Sequence, residues 1–369
     1  MKVNNYLTLI LGIIICLLTI GGWLLYTSPS PLTKKDKVMI DSLFEETKPQ
    51  CIGRYLIDVP ASFNNQLNDF IFIDEFKIES KFIYPPAFKQ RVELREIELN
   101  EAINQPQNKL HNAPFVKEII YLPDNKGVIF DRNQSGAEDA YRVLEAHVYV
   151  DNIAFIITTD IIYFSDPKYA EEKYSYINIS GFNEKDTNTK PLRLAQMKSL
   201  ISRLSGRLND TIIPTEKGIC IPNGFIADDN NAHKNRISYT YENNDLIFGV
   251  DVDDTILGSD DTLLSRSLGV YGALFKSNQR TIKKGELLLG KIPAQEWLIS
   301  GEQNLHGQGK PFPSYHFILF ANESIASYQQ PWLSFGMNNA SKKSQYNQAQ
   351  MVEIWDRIVG SLRYKPNSL

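Results

Sequence analysis

The apolar positions of this chain fall into two regimes. Residues 3–33 carry no charge, and the 21 residues from 6 to 26, YLTLILGIIICLLTIGGWLLY, form an almost unbroken apolar block. As a helix that block would reach roughly 31 Å, about the thickness of a bilayer's hydrocarbon core. Trp23 and Tyr26 stand at one end, where amphipathic rings favour the membrane interface. Beyond residue 33 the apolar residues alternate or recur at helical spacing, the pattern of a water-soluble body.

Within that body the pattern predicts two halves built alike. Each closes on a helix that opens with the same tripeptide: AQMKSLISRLSGRL from Ala195 and AQMVEIWDRIVGSL from Ala349. Leu200, Leu204 and Leu208 align with Ile354, Ile358 and Leu362, an apolar stripe at four-residue spacing, and Arg203 and Gly206 align with Arg357 and Gly360. The halves also open alike, CIGRYLI at Cys51 and CIPNGFI at Cys220. In the first half residues 70–82 alternate as one strand, with Phe70, Phe72, Phe76, Ile78 and Phe82 on one face. A helix over 88–103, strands over 115–121 and 127–131, and a long hairpin turning at Asp151-Asn152 follow. In the second half strands over 237–241 and 246–253 precede a helix over 262–275. Strands through GELLLGKI, AQEWLIS, YHFILFA and WLSFGM then lead to the last helix. The predicted class is α+β: two duplicated domains, each an antiparallel sheet with an internal and a closing helix, behind one transmembrane anchor. The divisions fall at 1–27 (anchor or uncleaved signal), 28–50 (linker and short helix), 51–210 and 211–369, with the halves folding separately about a cut near 209–217.

A cleaved signal peptide competes with the anchor, but residues 26–31, YTSPSP, offer a poor cleavage site. Charge does not orient the anchor, since Lys2 flanks one end and Lys34, Lys35 and Lys37 the other. The reading favoured is an uncleaved anchor that carries an exported body. A hydrophobic content of 43%, with 19 Phe and 18 Tyr, supplies ample core and argues against disorder. The net charge of −4 argues against a nucleic-acid partner.

Chemistry is sparse in this sequence. It has no G-x-S-x-G elbow, H-E-x-x-H pair, phosphate-binding loop or dinucleotide fingerprint. His111, His147, His233, His306 and His316 are scattered, and His147 and His316 sit in alternating strands as structural histidines would. The reading is therefore not an enzyme, with no catalytic residue, cofactor or metal. The densest acidic stretch is Asp251, Asp253 and Asp254, followed by Asp260 and Asp261. Calcium would need alternate ligands, a central glycine and a closing glutamate. A solvated loop leading into a helix whose first turn accepts carboxylates fits better, and such a loop is also the candidate for steering a protein partner. Cys51 and Cys220 occupy equivalent positions, consistent with a disulfide or with two buried thiols.

The run Cys51-Ile52-Gly53-Arg54-Tyr55-Leu56-Ile57-Asp58-Val59-Pro60 resembles the opening signature of the immunity proteins that protect bacteria against type VI secretion lipases of the fourth Tle class. Gly218-Ile219-Cys220 followed by Gly224-Phe225-Ile226 is similar to the start of that family's carboxyl-terminal domain. The signature reads as one opening strand, Arg54, Leu56 and Asp58 on one face and Tyr55, Ile57 and Val59 on the other, ended by Pro60. The resemblance covers residues 51–364 and implies a non-enzymatic periplasmic inhibitor whose partner is a cognate phospholipase effector. Other envelope-anchored binding proteins, chaperones and a hydrolase are the rival classes.

Overall fold

The computed structural model describes residues 31–65, 70–304 and 310–368. The predicted anchor at 6–26 therefore lies outside the described residues, as does His306. Among the described residues no helix is long and apolar enough to cross a membrane.

Helix α1 (Lys34–Leu43) is closed at its start by a capping box between Thr33 and Asp36. The first half then runs β1 (Thr47–Ile52), β2 (Tyr55–Pro60), β3 (Asn64–Asn65), β4 (Phe70–Ile73), β5 (Phe76–Phe82), α2 (Pro85–Glu101), β6 (Val116–Tyr121), β7 (Gly127–Asn133), β8 (Tyr141–Val150), β9 (Ile153–Ile162), α3 (Ala170–Asn178), α4 (Lys190–Arg203) and β10 (Leu204–Gly206). The second half runs β11 (Gly218–Ile221), β12 (Gly224–Ala227), β13 (Asn235–Glu242), β14 (Ile247–Asp253), α5 (Ser267–Lys276), β15 (Arg280–Leu289), β16 (Ile292–Gln303), β17 (Phe312–Ala321), β18 (Trp332–Asn338), α6 (Gln348–Gly360) and β19 (Arg363–Tyr364).

Duplication is plain in the topology. The first half orders its strands β4-β5-β9-β8-β7-β6 and the second β13-β14-β18-β17-β16-β15, the same path through equivalent strands. The two paths join edge to edge: β4 pairs antiparallel with β13, Phe72 opposite Arg236 and Phe70 opposite Ser238, so a single 13-stranded sheet spans the molecule. The small sheets cross the halves as well. Strand β10, leaving α4, pairs with β12, while β19, leaving α6, pairs with β2. Cys51 and Cys220, both buried, form a disulfide between the opening hairpins, with 5.6 Å between their Cα atoms. A Gly53–Cys220 bridge lies beside it.

Alternation gives the long sheet two different faces. One packs Ile71, Phe76, Tyr239, Val250 and Phe335 under α4 and α6 in a core that runs unbroken through both halves. Among the described residues the other is covered at its wings. Leu99 of α2 packs there on Phe115, Val128 and Phe130, and Leu263 and Leu274, the latter on α5, pack on Trp297 and Ile299.

The β8–β9 hairpin turns at Asp151 and Asn152, with φ of 51° and 66°, the left-handed pair that a two-residue turn between twisted strands requires. Other expectations change. Residues 70–82 are a hairpin, because Asp74 takes φ of 53° and reverses the chain; Phe70 and Phe72 then face outward while Phe76 and Ile78 enter the core. The signature at Cys51 likewise folds as the hairpin β1–β2, turning at Gly53 with φ of 56°, although Tyr55, Ile57 and Val59 do share the core face of β2. GELLLGKI crosses the turn at Gly290 instead of forming one strand. The first closing helix stops at Arg203, so Leu204 is in β10 and Leu208 is exposed; only the second keeps its stripe, with Ile354, Ile358 and Leu362 buried. The two halves thus share one long sheet and the core beneath it, and they exchange strands through the small sheets.

Candidate partner-binding surface

Between the wings covered by α2 and α5, the outer face of β5, β4, β13 and β14 carries no helix among the described residues. Phe70, Lys77, Glu79, Arg236 and Asp251 are exposed along it. The Arg236 guanidinium stacks over Phe70 and Phe72, 5.7 and 5.2 Å from the ring centres. A cation over two aromatic rings at an open sheet centre is the residue type that anchors protein contacts. Periodicity misses this cluster, since the rings stand on the outward face only because of the turn at Asp74.

The acidic candidates separate. Asp251 pairs in register with Ser238 and Asp253 with Arg236, which puts both carboxylates on the open face beside that aromatic cluster. Asp253 caps the next turn, accepting from the Thr255 amide at 2.8 Å. Asp260 and Asp261 are exposed on the following loop, with Asp261 3.5 Å from Arg266. They precede α5 by several residues and do not occupy its first turn, the place expected for them. Asp254 leaves the group. It is 7% exposed on the opposite face and accepts the Asn235 amide at 2.6 Å and the Asn235 side-chain amide. Burial pushes its pKa up to about 6 against those hydrogen bonds. Among the described residues no group of His, Cys, Asp and Glu could hold a metal ion.

The histidines make polar contacts of several kinds. His147 sits 2.8 Å from buried Glu145, which also takes ion pairs from Arg95 and Arg132 at 2.7 Å each. Burial works against ionisation of Glu145, but His147 and the two guanidinium groups hold its pKa far below the usual carboxylate range. Ser314 Oγ lies 2.9 Å from His316 Nε2, the first two members of a nucleophilic arrangement. Ser314 is only 4% exposed, however, and burial lowers the His316 pKa. His111 contacts Glu138 at 3.1 Å on the surface. His233 lies at the seam between the halves.

That seam is the most constrained polar region. Arg54, unremarked by any sequence pattern beyond its signature, is 5% exposed. It donates to the Ser368 carbonyl at 2.8 Å, lies 3.8 Å from Asp228 and stacks over Tyr328 at 4.9 Å. Lys365 is also buried and donates to the carbonyls of Pro214 and Glu216, at 3.3 and 2.5 Å, in the segment linking the halves. The carboxyl-terminal tail is thus held by both halves.

A duplicated body closed by a disulfide, with an open face that carries an aromatic–cation cluster and exposed carboxylates, is suited to binding a protein partner. Family models place it further. Residues 48–207 match the Tle cognate immunity protein 4 N-terminal domain and residues 212–367 match the C-terminal domain of the same family. The chain belongs to the Tle cognate immunity protein 4 family, and it is an immunity protein, not an enzyme. Its fold is similar to the apo immunity protein TplEi of the T6SS of Pseudomonas aeruginosa, at 19% identity, covering 87% of this chain and 98% of that one with a TM-score of 0.67. It is also similar to a chain of the Tle4–Tli4 complex, with the same identity and coverage and a TM-score of 0.66. No curated protein sequence matches the chain.

Proposed function

We propose that this chain is a periplasmic immunity protein that binds a cognate phospholipase effector of the type VI secretion system and blocks its activity, protecting the cell that makes it. The observation that carries this reading is the pair of family domains, in order, across residues 48–367. The apolar block at 6–26 supports a single inner-membrane anchor. The Cys51–Cys220 disulfide supports an oxidising compartment for the body. Division of the body at about residue 210 follows the duplicated strand order.

The effector docks on the open outer face, with Phe70, Phe72 and Arg236 as the central anchor. Asp251, Asp253, Asp260 and Asp261 steer approach from one side; Asp254 has no part in it. The test is binding of the purified effector to the full chain, and relief of effector toxicity in cells that express it. Changing the four exposed aspartates to asparagine is expected to slow association several-fold at low salt, with the difference fading as salt screens the charges. Arg236→Ala is expected to speed dissociation, at a cost of about 2 kcal/mol in affinity. Failure to bind a co-encoded lipase would overturn the function; tight binding unaffected by all five changes would move the site elsewhere.

A further inference from the structure

His233 is held by carboxylates from both halves at once. Its Nδ1 is 2.8 Å from Asp74 Oδ2, in the β4–β5 turn of the first half, and its Nε2 is 2.8 Å from Asp229 Oδ1 in the second. A neutral imidazole has one N–H and one acceptor nitrogen, so it could satisfy only one of these carboxylates and would turn a lone pair on the other. The imidazolium donates to both. The position is mechanically significant as well. Asp74 N donates to the Lys234 carbonyl at 2.6 Å and Lys234 N donates to Asp74 Oδ1 at 2.9 Å, closing one end of the β4–β13 seam. The ring therefore sits where the two halves of the long sheet are joined.

We propose that His233 is a proton-operated latch: its imidazolium pins Asp74 to Asp229 across the seam, and loss of that proton loosens the join between the halves.

The surrounding charges favour the proton on balance. Asp74 and Asp229 face the ring, with Glu75 beside Asp74 and Asp228 beside Asp229. Against them stand Arg203 at the end of α4, 3.5 Å from Asp229, together with Arg193, Lys234 and Arg54 around the same cleft. Burial opposes the charge on His233, but the hydrogen bonds to Asp74 and Asp229 outweigh it and raise its pKa above 6.5. The sign follows. A histidine whose folded pKa is raised contributes its full stabilisation below 6.5 and loses it as pH rises through the folded value. The latch is closed in mild acid and open in alkali. This holds for the protein alone, whatever it binds.

With five histidines in the chain, a carbon-13 histidine titration of the full-length protein in detergent can resolve His233, assigned by its disappearance in His233→Gln. We expect it to titrate above 6.5 and to fall back in Asp74→Asn. Amide exchange of the β4 and β13 segments, corrected for intrinsic rates, should then rise with pH. The rise should be about tenfold for each unit by which the folded pKa exceeds the unfolded one. The same exchange in His233→Gln should lose that component. A pKa at or below 6.5 in the wild-type chain overturns the latch even if no variant folds, and so does an unchanged pH dependence of seam exchange in His233→Gln.

Discussion

Asp254 shows how one buried side chain can hold a protein below its attainable stability. Its carboxylate is enclosed, with Asp253 adding repulsion, and its pKa is pushed up to about 6. An acid whose folded pKa is raised costs stability as pH climbs through that value, because the fold must then enclose a charge that water would solvate. The gap of roughly two units corresponds to about 3 kcal/mol when fully ionised, as an upper figure. Asp254→Asn removes the charge but keeps one acceptor of two: its Oδ1 can take one of the Asn235 N–H groups, and its own amide nitrogen then faces the other. It is expected to raise the unfolding free energy at pH 8 by about 1–2 kcal/mol and to flatten the stability profile between pH 4 and pH 7. Urea titrations across that range decide it: a variant less stable than wild type at pH 8 would show that the charge-assisted bonds to Asn235 outweigh desolvation. Nothing in the run DVDD distinguishes Asp254 from Asp253. The distinction arises because consecutive strand residues point to opposite faces, and only one face is open.

At the scale of elements, α6 keeps the two halves' shared core in place. Trp355 is fully buried, packed edge-on against Phe317 and Phe335 with ring centres 5.7 and 5.4 Å away. Its indole Nε1 donates to the enclosed Glu296 at 2.8 Å, and Lys283 approaches the other oxygen of Glu296 at 2.9 Å. Trp355→Ala would both open a cavity and strip a buried carboxylate of a donor, for an expected loss of about 4–5 kcal/mol. Trp355→Phe retains most of the packing and should lose about 1–3 kcal/mol, the cost of the missing donor. Equal losses in the two variants, read from chemical unfolding, would mean that Glu296 does not depend on the indole. The helix itself was legible in the sequence from Ile354, Ile358 and Leu362. The buried Trp–Glu pair was not, because its members are 59 residues apart.

Over the whole molecule, the duplicated halves are interleaved. Each closing helix feeds its strand to the other half's opening hairpin, and β4 and β13 would become bare sheet edges on separation. Residues 31–210 and 211–369 expressed apart are therefore expected to lack a cooperative unfolding transition, and to aggregate through those edges. Circular dichroism and thermal melts of each half check this; a cooperative melt from either one alone would contradict the exchange as a requirement for folding. The tail extends the same dependence. Its Ser368 carbonyl is held by Arg54 and Lys365 holds the linker, so removing residues 363–369 should destabilise the amino-terminal hairpin despite the distance in sequence.

Local chemistry and period determined much by themselves. The Asp151-Asn152 turn, the helix of the last stripe, the alternating strands and the doubling of the body follow from residues within a few positions of one another, and the opening signature pointed to the family. Tertiary structure alone decided which face each strand buries, once Gly53 and Asp74 reversed the chain at positive φ. It also decided that Cys51 and Cys220 pair, that Arg54 meets Ser368, and that two halves share one sheet. The last three outcomes depend on contacts between residues more than a hundred positions apart, where the free energy belongs to the assembled core and no local pattern records it.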